Sequence, residues 1–289
     1  MTNTAPNTYY IVGPTAIGKS NYAINLAKEV NGEIISADAY QIYKFMDIGT
    51  GKVSLKQQEQ IPHHLLDILT PEKNYNVTDF LTKTNTLINS ITKKNKTPII
   101  CGGNGLYLQA FLYNYIFPTA KSDPKLRASL ENIYLKKGKE YLWNYLNKID
   151  PISAKTIHQN NKHHLLRCIE IYKITKNIPS EIKKKSSTIR PNTKIIGLNS
   201  PRKVVKELIS TRVDNMIKTG LIDEVNLLLK KGYSPNLPAL NCIGYKETIN
   251  YLKGIIDKKD MIELIKRNSY HYSKRQLTWF KKIENINWL

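Results

Sequence analysis

The sequence predicts an α/β fold, a parallel sheet flanked by helices, interrupted by a helical insertion domain. Three observations lead there. Short apolar, β-branched runs alternate with helical periods through the first third of the chain; a glycine-rich loop joins the first run to the first helix; and from about residue 118 the strand-like runs stop.

The run "TYYIV" (8–12) ends at Gly13 and reads as a buried strand, and "KSNYAINLAKEV" (19–30) then places Tyr22, Ala23, Leu26, Ala27 and Val30 at helical spacing. "GEIISAD" (32–38) and "KTPIICGG" (96–103) are two further strands, with a helix near 77–94 between them. This succession of strand, loop, helix, strand, helix and strand calls for parallel pairing with helices on both faces. Beyond it, helical periods break at Pro124, Gly138, Pro151 and Pro179 with little that resembles a strand. The expected division is therefore a core of residues 1–117 and 190–289 and a helical insertion of 118–189. "TKIIGLN" (193–199) returns a strand to the sheet, and the remainder is mostly helical apart from the Pro/Gly-punctuated loop "KKGYSPNLPALNCIGYKE" (230–247).

Composition narrows the class of function. The 289 residues suffice for one generous domain or two smaller ones, and 41% hydrophobic with 23% charged residues exclude a disordered chain or a fibre. Lys and Arg total 44 against 23 Asp and Glu, a net charge of +21 that favours a polyanionic partner, nucleic acid first. The competing explanation is a Lys-, Asn- and Ile-rich bias spread over solvated helix faces. Cys101, Cys168 and Cys242 are far apart and form no C-x-x-C pair, which fits a reducing compartment and neither a disulfide framework nor a zinc ribbon. No apolar run approaches the roughly 20 residues of a membrane helix. "MTNTAPNT" has neither the basic nor the apolar part of a signal peptide. A cytoplasmic protein with no membrane partner is expected.

The loop after the first strand, "GPTAIGKS", carries Gly13, Pro14, Thr15, Ala16, Ile17, Gly18, Lys19 and Ser20 in the spacing G-x-x-x-x-G-K-S. With a strand before it and a helix after it, the spacing makes the expected fold P-loop NTPase-like. Gly13 and Gly18 let backbone N–H groups close on a diphosphate at the helix N-terminus, Lys19 adds a point charge, and Ser20 offers a hydroxyl to a Mg²⁺ ion, the one cofactor expected. A nucleotide hydrolase would end a later strand with a magnesium-holding Asp. Here "TPIICGGNG" ends in glycines and Asn104, and the best-placed strand-end carboxylate is Asp38, about 18 residues past the loop. On position alone Asp38 is either a site group or a turn residue.

The segments "GPTAIGKS", "SADAYQIYKFMDIGTGK" (36–52), "PHHLLDI" (62–68), "CGGNGLYLQAFL" (101–112), "IGYKE" (243–247) and "KRQLTWF" (274–280) together resemble the tRNA dimethylallyltransferases (tRNA isopentenyltransferases) of bacterial type, in order and spacing over nearly the whole chain. The resemblance implies transfer of a dimethylallyl group from dimethylallyl diphosphate to the exocyclic amine of the adenine 3′ of the anticodon, tRNA position 37. The loop then holds a leaving group. It implies Asp38 as general base and reader of the base edge, Thr15 near the bridging oxygen or the amine, and Arg212, in "STRVDNMIKTGLIDEV", as a clamp on the diphosphate. Without the family context Arg212 is an ordinary exposed helical arginine. Implied contacts to the tRNA anticodon stem-loop are Asp38, Ala39, Tyr40 and Gln41; Asn104 and Arg127; His163, His164, Leu165, Leu166 and Arg167; and Asn241, Cys242, Ile243, Gly244, Tyr245 and Lys246. Their distribution suggests a grip by insertion and core on the stem-loop. In "RNSYHYSKRQLTWF", Arg267, Lys274 and Arg275 interleave with Tyr270, His271, Tyr272 and Trp279, suiting phosphate contact and stacking or a plain helix core.

Ala39, Asn104, Asn161 and His164 depart from the Ser, Thr, Asp and Arg commoner in the family, and Asn241 precedes the loop cysteine. A zinc finger of the kind some eukaryotic members carry is absent from the sequence, and a monomer is expected. Three alternatives compete. A nucleotide kinase of the adenylate-kinase type shares the loop but leaves "IGYKE" and "KRQLTWF" without a role. An adenylate isopentenyltransferase acting on free nucleotide does not call for a +21 charge or an insertion. A basic RNA-binding module would not need Gly13, Gly18, Lys19, Ser20 and Asp38 intact.

Overall fold

The structure, a computed structural model, describes residues 8–118, 123–182 and 185–289. Most of the stretch read for a signal peptide (1–7), the start of the expected insertion (119–122) and residues 183–184 lie outside the described residues. The chain divides into two compact units, one formed by the chain up to Leu112 and from Ile189 onward, the other by Tyr113–Thr188.

In chain order the elements are β1 (Thr8–Val12), α1 (Lys19–Glu29), β2 (Gly32–Ser36), α2 (Leu55–Gln60), β3 (His63–His64), α3 (Val77–Lys93), β4 (Thr97–Cys101) and α4 (Gly105–Leu112). Then come α5 (Pro124–Ile149), α6 (Pro151–Thr156), α7 (Lys162–Thr175) and α8 (Pro179–Ile182) of the second unit. The first unit resumes with β5 (Thr193–Gly197), α9 (Arg202–Lys218), α10 (Leu221–Lys230), a 3₁₀ turn (Pro238–Asn241), α11 (Tyr245–Leu252), α12 (Lys258–Phe280) and β6 (Ile286–Trp288).

The sheet has six strands in the order β3-β2-β4-β1-β5-β6, every pair parallel. Strand alternation divides the side chains between two cores. Tyr9, Ile11, Ile34 and Ile99 pack against Ala23, Ile24, Leu26 and Ala27 of α1. Tyr10 points the other way, its ring 6.3 Å from Phe111 of α4, while Phe80 of α3 stacks on Tyr107 at 4.6 Å. Both faces are thus covered by helices, as the alternation in the sequence required, and each fully buried large side chain contributes about 1.5–3 kcal/mol.

Three details differ from the sequence expectation. β2 stops at Ser36, short of Asp38, because the Asp38 carboxylate accepts the N–H groups of Tyr40 and Gln41 at 2.8 and 3.2 Å and turns the chain out of the ladder. The short strands β3 and β6 were not expected. β3 is two histidines, too short and polar to show a period, and is tied to β2 through Glu33, which accepts hydrogen bonds from His64 at 2.7 Å and Lys96 at 2.9 Å. Burial pushes the Glu33 carboxyl up, but the bonds from Lys96 and His64 outweigh it and leave its pKa lowered.

The second unit is helical. Pro124 and Pro151 stand in the first turns of α5 and α6, behind Asp123 and Asp150 caps, and Gly138 at φ 83° breaks α5 internally. Its core is Leu130, Leu142, Leu146, Ala154, Leu165, Leu166 and Ile169. Buried Glu170 pairs with Arg167 at 2.9 Å and Arg127 at 3.7 Å. Among the described residues no helix is long and apolar enough to cross a membrane.

Candidate active site

The carboxyl ends of β1, β2 and β4 face one cavity of about 470 Å³ in the first unit, the place where open parallel sheets collect ligands. From β1 comes the phosphate loop. Gly13 lies at φ 148°, where a Cβ would stand 2.4 Å from the Leu198 carbonyl oxygen, so the loop leaves the strand as only glycine allows. Gly18 is left-handed at φ 89° and begins α1, whose first turn has no side-chain cap and no acidic residue. Its N–H groups and the positive end of its dipole therefore suit an anion.

Thr15, Ala16, Gly18, Lys19 and Ser20 all line the cavity, while Gly13, Pro14 and Ile17 shape the loop behind it. The Lys19 ammonium donates to the Pro14 carbonyl at 2.7 Å. Withdrawal from water lowers its pKa to about 8; Arg212 adds to that fall, while Cys101 and Asp38 oppose it. Asp38 lines the same cavity, and both of its backbone hydrogen bonds fall on Oδ1, so Oδ2 has no protein partner among the described residues. Asp38 is thus a turn residue and a cavity group at once.

Arg212 reaches the cavity from α9, its Nη2 donating to the Thr50 carbonyl at 3.3 Å. Burial lowers its pKa, and Asp38 partly restores it. The same face of α9 adds Ile209, Val213 and Met216, and α12 adds Ile265, so an apolar wall adjoins the charged end. The cavity therefore offers an anion cradle, a carboxylate and an apolar surface together.

Of the residues expected to contact nucleic acid, Asp38, Tyr40, Gln41, Asn241, Cys242, Ile243 and Gly244 line this cavity. Burial raises the Tyr40 phenol to about 12 and the Cys242 thiol well above its ordinary value, so both are neutral at pH 7. Tyr245 is fully buried and gives its hydroxyl to Glu224 at 2.6 Å, whereas Lys246 is exposed. Ala39 is partly exposed. Asn104 accepts the Tyr107 N–H at 3.2 Å and so caps α4.

In the second unit His163 and His164 are exposed, with ring centroids 5.7 Å apart, and Arg127 and Arg167 are partly exposed around Glu170. Leu165 and Leu166, at 0% and 1% exposure, turn their side chains into the core of that unit, following the 3.6-residue period of α7.

Two groups escaped the sequence reading. Gln276, inside "KRQLTWF", accepts the Thr15 N–H at 2.8 Å and donates to the Gly103 carbonyl at 2.9 Å, so it ties α12 to the phosphate loop. The motif closes on the glycines of "CGGNG": a Cβ on Gly105 would stand 2.4 Å from Cβ of Trp279. Glu224, inside the segment quoted for Arg212, binds the 47–49 backbone. Both lay within noted motifs, but their partners are far away in sequence.

The residues present fit a magnesium ion. Ser20 lines the cavity at the start of α1, so its hydroxyl is an oxygen ligand beside the anion cradle. Magnesium is commonly held by one or two protein oxygens together with phosphate oxygens and water.

A family model described as IPP transferase matches residues 41–283. The tRNA dimethylallyltransferase of Finegoldia magna is 46% identical over 281 residues, covering 96% of this chain and 89% of that relative. The one from Alkaliphilus oremlandii is 43% identical over 282 residues with the same coverage. Among solved structures, the full-length tRNA isopentenylpyrophosphate transferase of Bacillus halodurans superposes with a TM-score of 0.72 at 38% identity, covering 98% of this chain and 89% of that one. A eukaryotic dimethylallyltransferase described as acting on tRNA superposes with a TM-score of 0.82 at 29% identity, covering 99% of this chain and 74% of that one. A parallel sheet carrying a phosphate loop, and agreement with these relatives along almost its whole length, place this chain in the IPP transferase family.

Proposed function

We propose that this protein transfers a dimethylallyl group from dimethylallyl diphosphate to the exocyclic amine of the adenine 3′ of the anticodon in tRNA. The observation that carries this is the meeting of the phosphate loop, Asp38 and Arg212 in one cavity with an apolar wall. The amine nitrogen attacks the first carbon of the allyl group, the carbon–oxygen bond breaks, and the diphosphate leaves with the bonding electrons. Asp38 takes the proton released by the amine, a task for an acceptor-only carboxylate with one oxygen uncommitted. The loop N–H groups, Lys19 and Arg212 meet the negative charge that grows on the departing diphosphate, and Thr15 stands on the loop beside it. A magnesium ion held at Ser20 would add positive charge to the same diphosphate.

Ile209, Val213, Met216 and Ile265 suit the five-carbon group, and burial around them limits water that would compete with the amine. Tyr40, Gln41 and residues 241–244 would surround a base taken out of its stack. The 118–189 insertion would hold phosphates through Arg127, His163, His164 and Arg167, supported by the +21 charge. We assign the protein to the cytoplasm and to a monomeric state.

The test is transfer of labelled dimethylallyl diphosphate to an unmodified anticodon stem-loop, with and without a magnesium chelator. Label on the RNA that disappears with the chelator is expected. No label, together with ATP-dependent phosphorylation of a nucleoside monophosphate, would return the protein to the nucleotide kinases.

A further inference from the structure

Arg212 makes no ion pair among the described residues. Its guanidinium is instead held by backbone: Nη2 donates to the Thr50 carbonyl, and Gly51, at φ 60°, lies so close that a Cβ there would be 2.1 Å from Nη2. Gln41 leans on the same two residues, donating to the carbonyls of Thr50 and Gly51 at 3.3 Å each. The shape of this loop therefore sets both side chains.

The loop has no helix or strand of its own from residue 44 to 53; Lys52 and Thr50 tie it to itself and to Asp67, and Glu224 in the first turn of α10 anchors it from outside. One carboxylate oxygen accepts the N–H groups of Asp47 at 2.9 Å and Ile48 at 2.7 Å; the other accepts Gly49 N–H at 3.1 Å and the Tyr245 hydroxyl at 2.6 Å. Three consecutive backbone donors converging on one anion form a nest, whose strength depends on the negative charge inside it. Gly49 has no room for a side chain, since a Cβ would stand 2.3 Å from the Tyr245 ring. Tyr245 in turn follows the cavity-lining stretch Asn241–Gly244. A single carboxylate thus joins the loop behind Arg212 to the neighbouring cavity-lining segment that leads into α11.

We infer that Glu224 is a positioning residue for the transfer: its carboxylate, seated in the 47–49 nest, orients Arg212 and Gln41 through Thr50 and Gly51. This rests on the role proposed above for Arg212. Glutamine at 224 keeps the shape but must turn its NH₂ toward either the Asp47 and Ile48 donors or the Gly49 donor, so the nest cannot close. The guanidinium then loses its fixed backing.

The test is a double-mutant cycle read by calorimetric binding of inorganic diphosphate and by kcat/KM for dimethylallyl diphosphate, using wild type, Glu224→Gln, Arg212→Ala and the double variant. Glu224→Gln should weaken diphosphate binding at least about tenfold when Arg212 is present and less than about twofold when it is absent, because groups acting as a unit are not additive. An equal loss in both backgrounds, or no loss in either, overturns the inference. If Glu224→Gln does not fold, Glu224→Asp, which keeps the charge but withdraws it by one methylene, is read in the same cycle. Diphosphate binding that follows the cycle in a protein unable to prenylate RNA would leave the orientation of Arg212 by Glu224 standing and refute the proposed function.

Discussion

Replacing Gly51 with alanine tests the geometry of the diphosphate grip with one methyl group. The new Cβ would lie 2.1 Å from Nη2 and 2.7 Å from Cζ of Arg212. Restoring ordinary contact of about 3.5 Å requires the guanidinium to withdraw by about 1.4 Å. A misplacement of about 1 Å at a reacting centre costs on the order of 10²-fold in rate. The left-handed φ of 60° adds a backbone cost of about 1–2 kcal/mol for alanine. The Gly51→Ala protein should therefore melt a few degrees lower, at roughly 2 °C per kcal/mol for a chain of 289 residues. Its kcat/KM for dimethylallyl diphosphate should fall about 10²-fold, with little change in RNA affinity. Steady-state transfer to an anticodon stem-loop, with each substrate varied in turn, reads both effects. A value of kcat/KM within about twofold of wild type would refute the claim that the Arg212 position is set by its contact with this loop.

Lys19 makes the reaction sensitive to alkaline pH. Its pKa is lowered to about 8, so free enzyme loses the ammonium as pH rises through that value, and kcat/KM for dimethylallyl diphosphate should decline there. Bound diphosphate favours the charged form, so kcat at saturation should stay flat over the same range; a flat kcat/KM would contradict the assignment. Ser20→Ala should raise the magnesium concentration needed for half-maximal transfer by about tenfold, the worth of one lost contact to a charged group, and an unchanged magnesium titration would remove Ser20 from the metal site. Gln276→Ala leaves the Thr15 N–H and the Gly103 carbonyl without their partner, a cost of about 1–3 kcal/mol for each group that stays unsatisfied, visible as a lower urea midpoint. An unchanged midpoint would show that water replaces the amide.

The sheet was legible in the sequence because its central strands are continuous apolar runs, as strands covered on both faces must be. β1, β4 and β5 therefore matched their runs to within a residue or two. β3 and β6 were invisible since an edge strand of two or three residues needs no apolar period. The phosphate loop could be read because its chemistry is local, with backbone, lysine and serine inside eight consecutive residues. Gln276 and Glu224 could not, because their partners lie 261 and up to 177 residues away. The inward turn of Leu165 and Leu166 was not read from the sequence for a different reason: a five-residue stretch on a helix cannot present every side chain to one surface, and here the two leucines turn inward while His163 and His164 remain outside.

At the centre of the account is a loop that holds a leaving group while Asp38 receives the proton of the attacking amine. Single-turnover transfer from dimethylallyl diphosphate by the Asp38→Asn protein tests this most directly. Asparagine can still accept the Tyr40 and Gln41 N–H groups and keep the turn, but it cannot take the proton. Transfer slowed by roughly 10²–10⁴-fold, with inorganic diphosphate binding retained, is the expected result. A wild-type rate in Asp38→Asn would contradict the account and assign the proton to another acceptor.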